Sequence, residues 1–185
     1  MALFREQADV SVRPATPEDD VAVARVQLRA WRRAHSALLG TDVLDALDET
    51  AVREQWARAI TAPPSRRHRV LVACEGNVVV GFAASAPIDA APEVPRGVEV
   101  LALEVDPDHQ RAGHGSRLLT ACVDLAREDG DTHLQTWVLE DDTPREQFLA
   151  GAGLGADGAR RELGLGAGED GLTHAVVEHR WVAEL

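Results

Sequence analysis

The chain has no tyrosine, and aromatic residues make up only 4% of its 185 positions. Its two cysteines, Cys74 and Cys122, lie far apart and form no C-x-x-C pair. That excludes a disulfide framework or a thiolate metal knot and predicts two buried, reduced thiols. No apolar run approaches the ~20 residues that span a bilayer. The first nine residues lack the basic-then-apolar order of a secretion signal. Positive charge is scarce: 19 basic residues face 31 acidic ones, for a formal charge of −12. Nucleic acid, which attracts Lys/Arg surfaces, is therefore not an expected partner, whereas a cationic substrate such as an amine suits the balance. No Ser/Gly linker, charge block or internal repeat divides the chain. Residues 1–185 are expected to form one cytoplasmic domain with no membrane contact.

What is present is an ordered alternation of strand-like and helix-like segments. Val10 to Arg13 alternates as a short strand. Thr16-Pro-Glu-Asp19 reads as a helix start, with the helix running to about Ser36. A second helix is predicted near Asp42 to Ile60, ended by Pro63-Pro64. Arg69 to Cys74 and Val78 to Ala84 flank the turn Glu75-Gly76-Asn77 and form a hairpin. Val98 to Val105 is nearly all apolar, the mark of a central strand covered on both faces. An amphipathic helix follows, with Leu118, Leu119, Cys122, Val123 and Ala126 on one face. His133 to Leu139 is another strand, and Thr143-Pro-Arg-Glu146 reads as a capping box opening a short helix. Ala159 to Leu165 and His174 to Val182 close the chain as a hairpin. The order is β-α-α-β-β-β-α-β-α-β-β: an α/β fold with a mixed sheet flanked by helices.

Between the central strand and its helix lies Val105-Asp-Pro-Asp-His-Gln-Arg-Ala-Gly-His-Gly-Ser116. Glycines at that junction let several backbone N–H groups meet one anion, and the helix N-terminus adds partial positive charge. A P-loop is excluded because no lysine follows the glycines. A dinucleotide fingerprint is disfavoured because Leu118 stands where its third glycine belongs. The pattern [QR]-x-x-G-x-[GA] remains, matched by Gln110-Arg-Ala-Gly-His-Gly115.

With Val105-x-Pro107 before that hexamer and Leu118-Leu119 after it, the chain resembles the GNAT (N-acetyltransferase) superfamily. Trp137-Val-Leu-Glu-Asp-Asp-Thr143 and Gly151-Ala-Gly-Leu154 extend the likeness to its last strand and helix. The resemblance covers essentially the whole chain and implies a GNAT-like, mostly antiparallel central sheet. It also implies acetyl-CoA as co-substrate and direct acetyl transfer to a primary amine of a small molecule or peptide; no metal is expected, because the histidines lack ligand spacing on a shared face. Amides of Arg111, Ala112, Gly113, His114, Gly115 and Ser116, with Gln110 leading in, would cradle the pyrophosphate. Leu103 to Val105 would pair with the pantetheine arm, and the Val105 amide would face the thioester oxygen. Arg111 and Arg117 are candidates to hold phosphates.

Acyl transfer to an amine needs a base and a proton donor for the thiolate. Glu99 and Glu104 interrupt the apolar strand and are the candidate bases. Glu99 occupies the position the superfamily often uses, and regular alternation puts Glu104 on the other face. The tyrosine acid that superfamily members often carry is replaced by Leu149. Ser85, His35 or water are left as donors. The same resemblance places Trp31 and His35, one helical turn apart, over the acceptor site, shaped by loops 36–42, 85–97 and 166–173. A homodimer through the C-terminal strand is a further expectation. The rival reading is a CoA-binding sensor or interaction module without catalysis.

Overall fold

The computed structural model describes residues 10–88, 96–167 and 173–185. The first nine residues and most of loops 85–97 and 166–173 lie outside that set, with the expectations placed on them. The strands are β1 (Val10–Pro14), β2 (Arg69–Glu75), β3 (Val78–Pro87), β4 (Gly97–Val105), β5 (His133–Leu139), β6 (Gly155–Ala167) and β7 (Thr173–Glu184). They form one mixed, mostly antiparallel seven-stranded sheet in the order β1-β2-β3-β4-β5-β7-β6. The helices are α1 (Asp20–Leu39), α2 (Thr41–Asp45), α3 (Glu49–Thr61), α4 (His114–Glu128) and α5 (Thr143–Gly151).

Tertiary contacts gather into two compact units: Met1–Ala86 with Ala102–Leu125, and Pro87–Leu101 with Ala126–Leu185. In the first unit, β1 pairs antiparallel with β2, and β2 with β3. Even-numbered residues of β2 and β3 (Val72, Cys74, Phe82, Ala84) pack with Val23 and Val26 of α1 and Trp56 of α3. Trp56 meets Phe82 edge-on at 4.8 Å and donates through Nε1 to Gln27 at 2.6 Å. The other face carries Gly81, where a Cβ would lie 3.3 Å from Leu118 of α4 and 3.0 Å from the Glu104 carbonyl oxygen. Small size at position 81 is what lets the end of β4 lie against β3.

In the second unit, β4 pairs parallel with β5 over Gly97–Val100. Thr136 Oγ1 donates to the Val100 carbonyl at 2.8 Å where that pairing ends. β5 pairs antiparallel with β7, and β7 with β6. The Arg161 guanidinium stacks 4.3 Å from the centre of the Trp137 ring while pairing with Glu178 at 2.6 Å. Gly97 is obligatory by sterics, since a Cβ there would sit 2.4 Å from His133 Cε1.

Several boundaries differ from expectation, and β6 begins at Gly155 instead of Ala159. The helix predicted near Asp42 to Ile60 is two, because Asp48 turns out of the helix and caps α3, accepting from the amides of Thr50 and Ala51. The first helix gains a preceding 3-10 turn, Pro17–Asp19. The cap of α5 is Asp142, which accepts from the Arg145 amide, so Thr143 is already helical. No helix among the described residues is long and apolar enough to cross a membrane.

Candidate acetyltransferase site

The glycine loop belongs to the first unit. β4 ends at Val105, Asp106 donates its amide to the Val80 carbonyl at 2.8 Å, and a 3-10 turn follows at Pro107–His109. The Gln110 side-chain amide folds back onto the Val105 carbonyl at 3.3 Å. Arg111 and Gly113 then both take left-handed backbone, at φ 65° and φ 82°. These two reversals turn the chain into α4, whose first residue is His114. Gly115 lies within the first helical turn.

Arg111, Ala112, Gly113 and Ser116 are exposed. The first intrahelical bond of this turn joins the Arg117 amide to the Gly113 carbonyl at 3.1 Å. The amides of His114, Gly115 and Ser116 are thus first-turn donors of a fifteen-residue helix with no acid in that turn. The Arg117 guanidinium donates to the Ala112 carbonyl at 3.0 Å, which holds a cation over the loop. Beside it runs a groove of about 340 Å³ lined by Ser11, Val12, Ser116, Arg117 and Thr120 among others. The donors and the cation suit one anion.

A second layer braces the loop. Arg29 of α1 bridges Asp106 at 2.8 Å and Asp108 at 2.6 Å. That guanidinium holds the Asp108 carboxyl below its usual range. Nothing in the sequence pattern signalled this clamp, because its partners are 77 and 79 positions apart.

Trp31 and His35 of α1 contact each other edge-on at 6.5 Å. The Trp31 Nε1–H donates to Glu104 Oε1 at 3.3 Å. Glu104 and His35 are both buried, at 8% and 5% exposure. The structure therefore brings Trp31, His35 and Glu104 together. Leu103 and Val105, the neighbours of Glu104 on the strand, are half-buried. Glu99 lies in the second unit, half-buried, where its carboxylate accepts from Gln135 Nε2 at 2.5 Å. Ser85 is buried on β3 and Leu149 on α5. Both cysteines are free and buried, and burial pushes the Cys122 thiol up to about 12. Among the described residues no group of three or more His, Cys, Asp or Glu is placed to hold a metal ion.

The sequence profile of the acetyltransferase (GNAT) family matches residues 25–154. The chain belongs to this family of N-acetyltransferases. It is 28% identical over 131 residues to the uncharacterised N-acetyltransferase YuaI of Bacillus subtilis, covering 71% of this chain and 72% of that one. Among solved structures, the PaiA N-acetyltransferase of Thermoplasma acidophilum, in complex with coenzyme A, aligns with a TM-score of 0.73 at 13% identity. That alignment covers 95% of this chain and 99% of the other. The Salmonella typhimurium protein YncA, with its cofactor acetyl-CoA, aligns with a TM-score of 0.61 at 19% identity, over 96% and 94%. At these identities the structural likeness establishes the GNAT fold.

Proposed function

We propose that this family member transfers an acetyl group from acetyl-CoA directly to a primary amine of a small molecule or peptide. The observation that carries the reading is the loop from Gln110 to Ser116. Its first-turn amides, left-handed turns and overlying Arg117 suit a pyrophosphate, and the first turn of α4 carries no acid. The PaiA and YncA structures, with CoA and acetyl-CoA, support the same donor.

Glu104 is the proposed base, preferred to Glu99. Its carboxylate is buried and oriented by Trp31 in the unit that holds the loop, whereas Glu99 belongs to the other unit. Glu104 takes the proton of the attacking ammonium, the nitrogen lone pair forms the C–N bond, and the C–S bond breaks to release CoA thiolate. The Val105 amide is the proposed oxyanion donor. Trp31 and His35 line the acceptor side, and His35, buried beside Trp31, is the proposed group to return a proton to the thiolate in place of the absent tyrosine. With Cys122 held as a thiol, no covalent acyl-cysteine route is needed.

The deciding experiment follows CoA thiol release from acetyl-CoA with a panel of primary amines and α-amino peptides, alongside calorimetric titration of CoA and ATP. Amine-dependent release establishes the transferase. CoA binding without turnover on any amine points to the non-catalytic sensor. Failure to bind CoA overturns the reading.

A further inference from the structure

His114 opens the helix whose N-terminus forms the anion site, yet its side chain turns inward and is 1% exposed. Neither ring nitrogen makes a hydrogen bond. Buried polar groups are nearly always paired, and an aliphatic side chain would fill such a slot without cost, so an unpartnered imidazole there calls for a role. Its surroundings supply one. Glu75, at the end of β2, places Oε2 3.8 Å from His114 Nε2 and also 3.8 Å from His109 Nε2. His109 in turn lies with Nδ1 3.6 Å from Asp106 Oδ1, the carboxylate that Arg29 grips from α1. Arg117, on the helix of His114 itself, is the cation over the loop.

We propose that His114 is a proton-binding site coupled to the cofactor: an anion on the loop amides draws a proton onto this buried imidazole, which then donates to Glu75. The inference rests on the reading of the loop as the CoA pyrophosphate cradle. Without an anion the ring is held neutral. Burial is the main cause, and repulsion from Arg117 and His109 adds to it, against the attraction of Glu75. A bound pyrophosphate offsets the charge of Arg117 and adds negative charge at the helix start, so the cationic ring becomes the favoured form. The bound state then has the higher histidine pKa and takes up a proton. Affinity must rise as pH falls between the bound and free values, and by reciprocity a lower pH tightens the cofactor. An uptake of about half a proton corresponds to about threefold tighter binding per pH unit.

The test is calorimetric titration of the full chain with dephospho-CoA, whose pyrophosphate stays ionised and which lacks the phosphomonoester that itself titrates near pH ~6. Measured at pH 6.5 in several buffers, the heat plotted against buffer ionisation enthalpy counts protons. Uptake in the wild type, with affinity rising about threefold from pH 7.5 to 6.5, is expected. That uptake should fall by more than half in His114→Leu, which removes the imidazole, and in Glu75→Gln, which keeps the size of the side chain and removes its charge. Binding without proton uptake overturns the proposal alone. So does uptake unchanged in both variants, or uptake that survives in His114→Leu and vanishes in His109→Gln. Absence of binding by the wild type overturns the cofactor reading and this inference with it.

Discussion

The indole nitrogen of Trp31 and the carboxylate of Glu104 meet at 3.3 Å, joining the middle of α1 to the last turn-in of β4. A hydrogen bond from a neutral donor fixes the carboxylate rotamer without neutralising it, which is the condition a general base requires. Glu104→Gln keeps an oxygen for the indole and removes the base. Turnover with the best amine should fall by about 10²–10⁴ while calorimetric CoA affinity stays within twofold. Glu99→Gln, tested in parallel, should cost far less. The reverse ranking would move the base to Glu99.

The two glycines of the loop should not be equivalent. Gly113→Ala forces a side chain onto backbone at φ 82°, a strain of about 1–2 kcal/mol. CoA affinity should drop about tenfold or more. Gly115→Ala sits in helical backbone, where alanine is the better residue, and should bind CoA like the wild type. Titrating both variants checks the contrast.

At Gly97 an added Cβ would meet His133 Cε1 at 2.4 Å and the His133 backbone oxygen at 2.7 Å, and backbone cannot swing aside. Gly97→Ala should therefore cost about 1–3 kcal/mol, or several degrees of Tm in a scanning melt. His133→Ala in the same background should recover only part of it, because the carbonyl contact persists.

Asp19 gives the fold an acid-sensitive hinge. Arg13 donates to both of its oxygens at 2.7 and 2.9 Å, and the Thr16 amide adds a third bond at 2.7 Å. The Arg13 bonds foremost hold its carboxyl below the ordinary value of 3.8. A depressed folded pKa contributes stability that is complete above about 3.8 and fades as pH falls through the folded value. Asp19→Asn should lower Tm at pH 7 by a few degrees, about 1 kcal/mol. The gap to wild type should narrow as the melts are taken below pH 3.8.

Much of the architecture was legible from local chemistry. The hairpin β2–β3 announced itself through Glu75-Gly76-Asn77, and the loop before α4 through Gly113. The errors have equally local causes. Leu44, Leu47, Val52 and Trp56 keep helical spacing across Asp48, so apolar periodicity alone ran α2 and α3 together. Asp142 and Thr143 are both good caps, and the Thr-x-x-Glu template chose the second. What stayed hidden was everything assembled from a distance. Trp31 with Glu104, Arg29 with Asp106 and Asp108, and Glu75 with His109 and His114 each join residues 34 or more positions apart, and no spacing rule reaches across such intervals. The inward turn of His114 was illegible for a different reason: the motif fixes its backbone and says nothing about its side chain.

The two sequestered thiols have a practical corollary. Cys74 and Cys122 are 4% and 2% exposed, and the latter is held as a thiol to about pH 12. Thiol-specific dyes react with thiolates, so the native chain should be nearly silent toward them. Dye uptake in an enzyme-only control therefore reads the opening of the first unit directly, giving a chemical clock for unfolding within the same cuvette that counts released CoA.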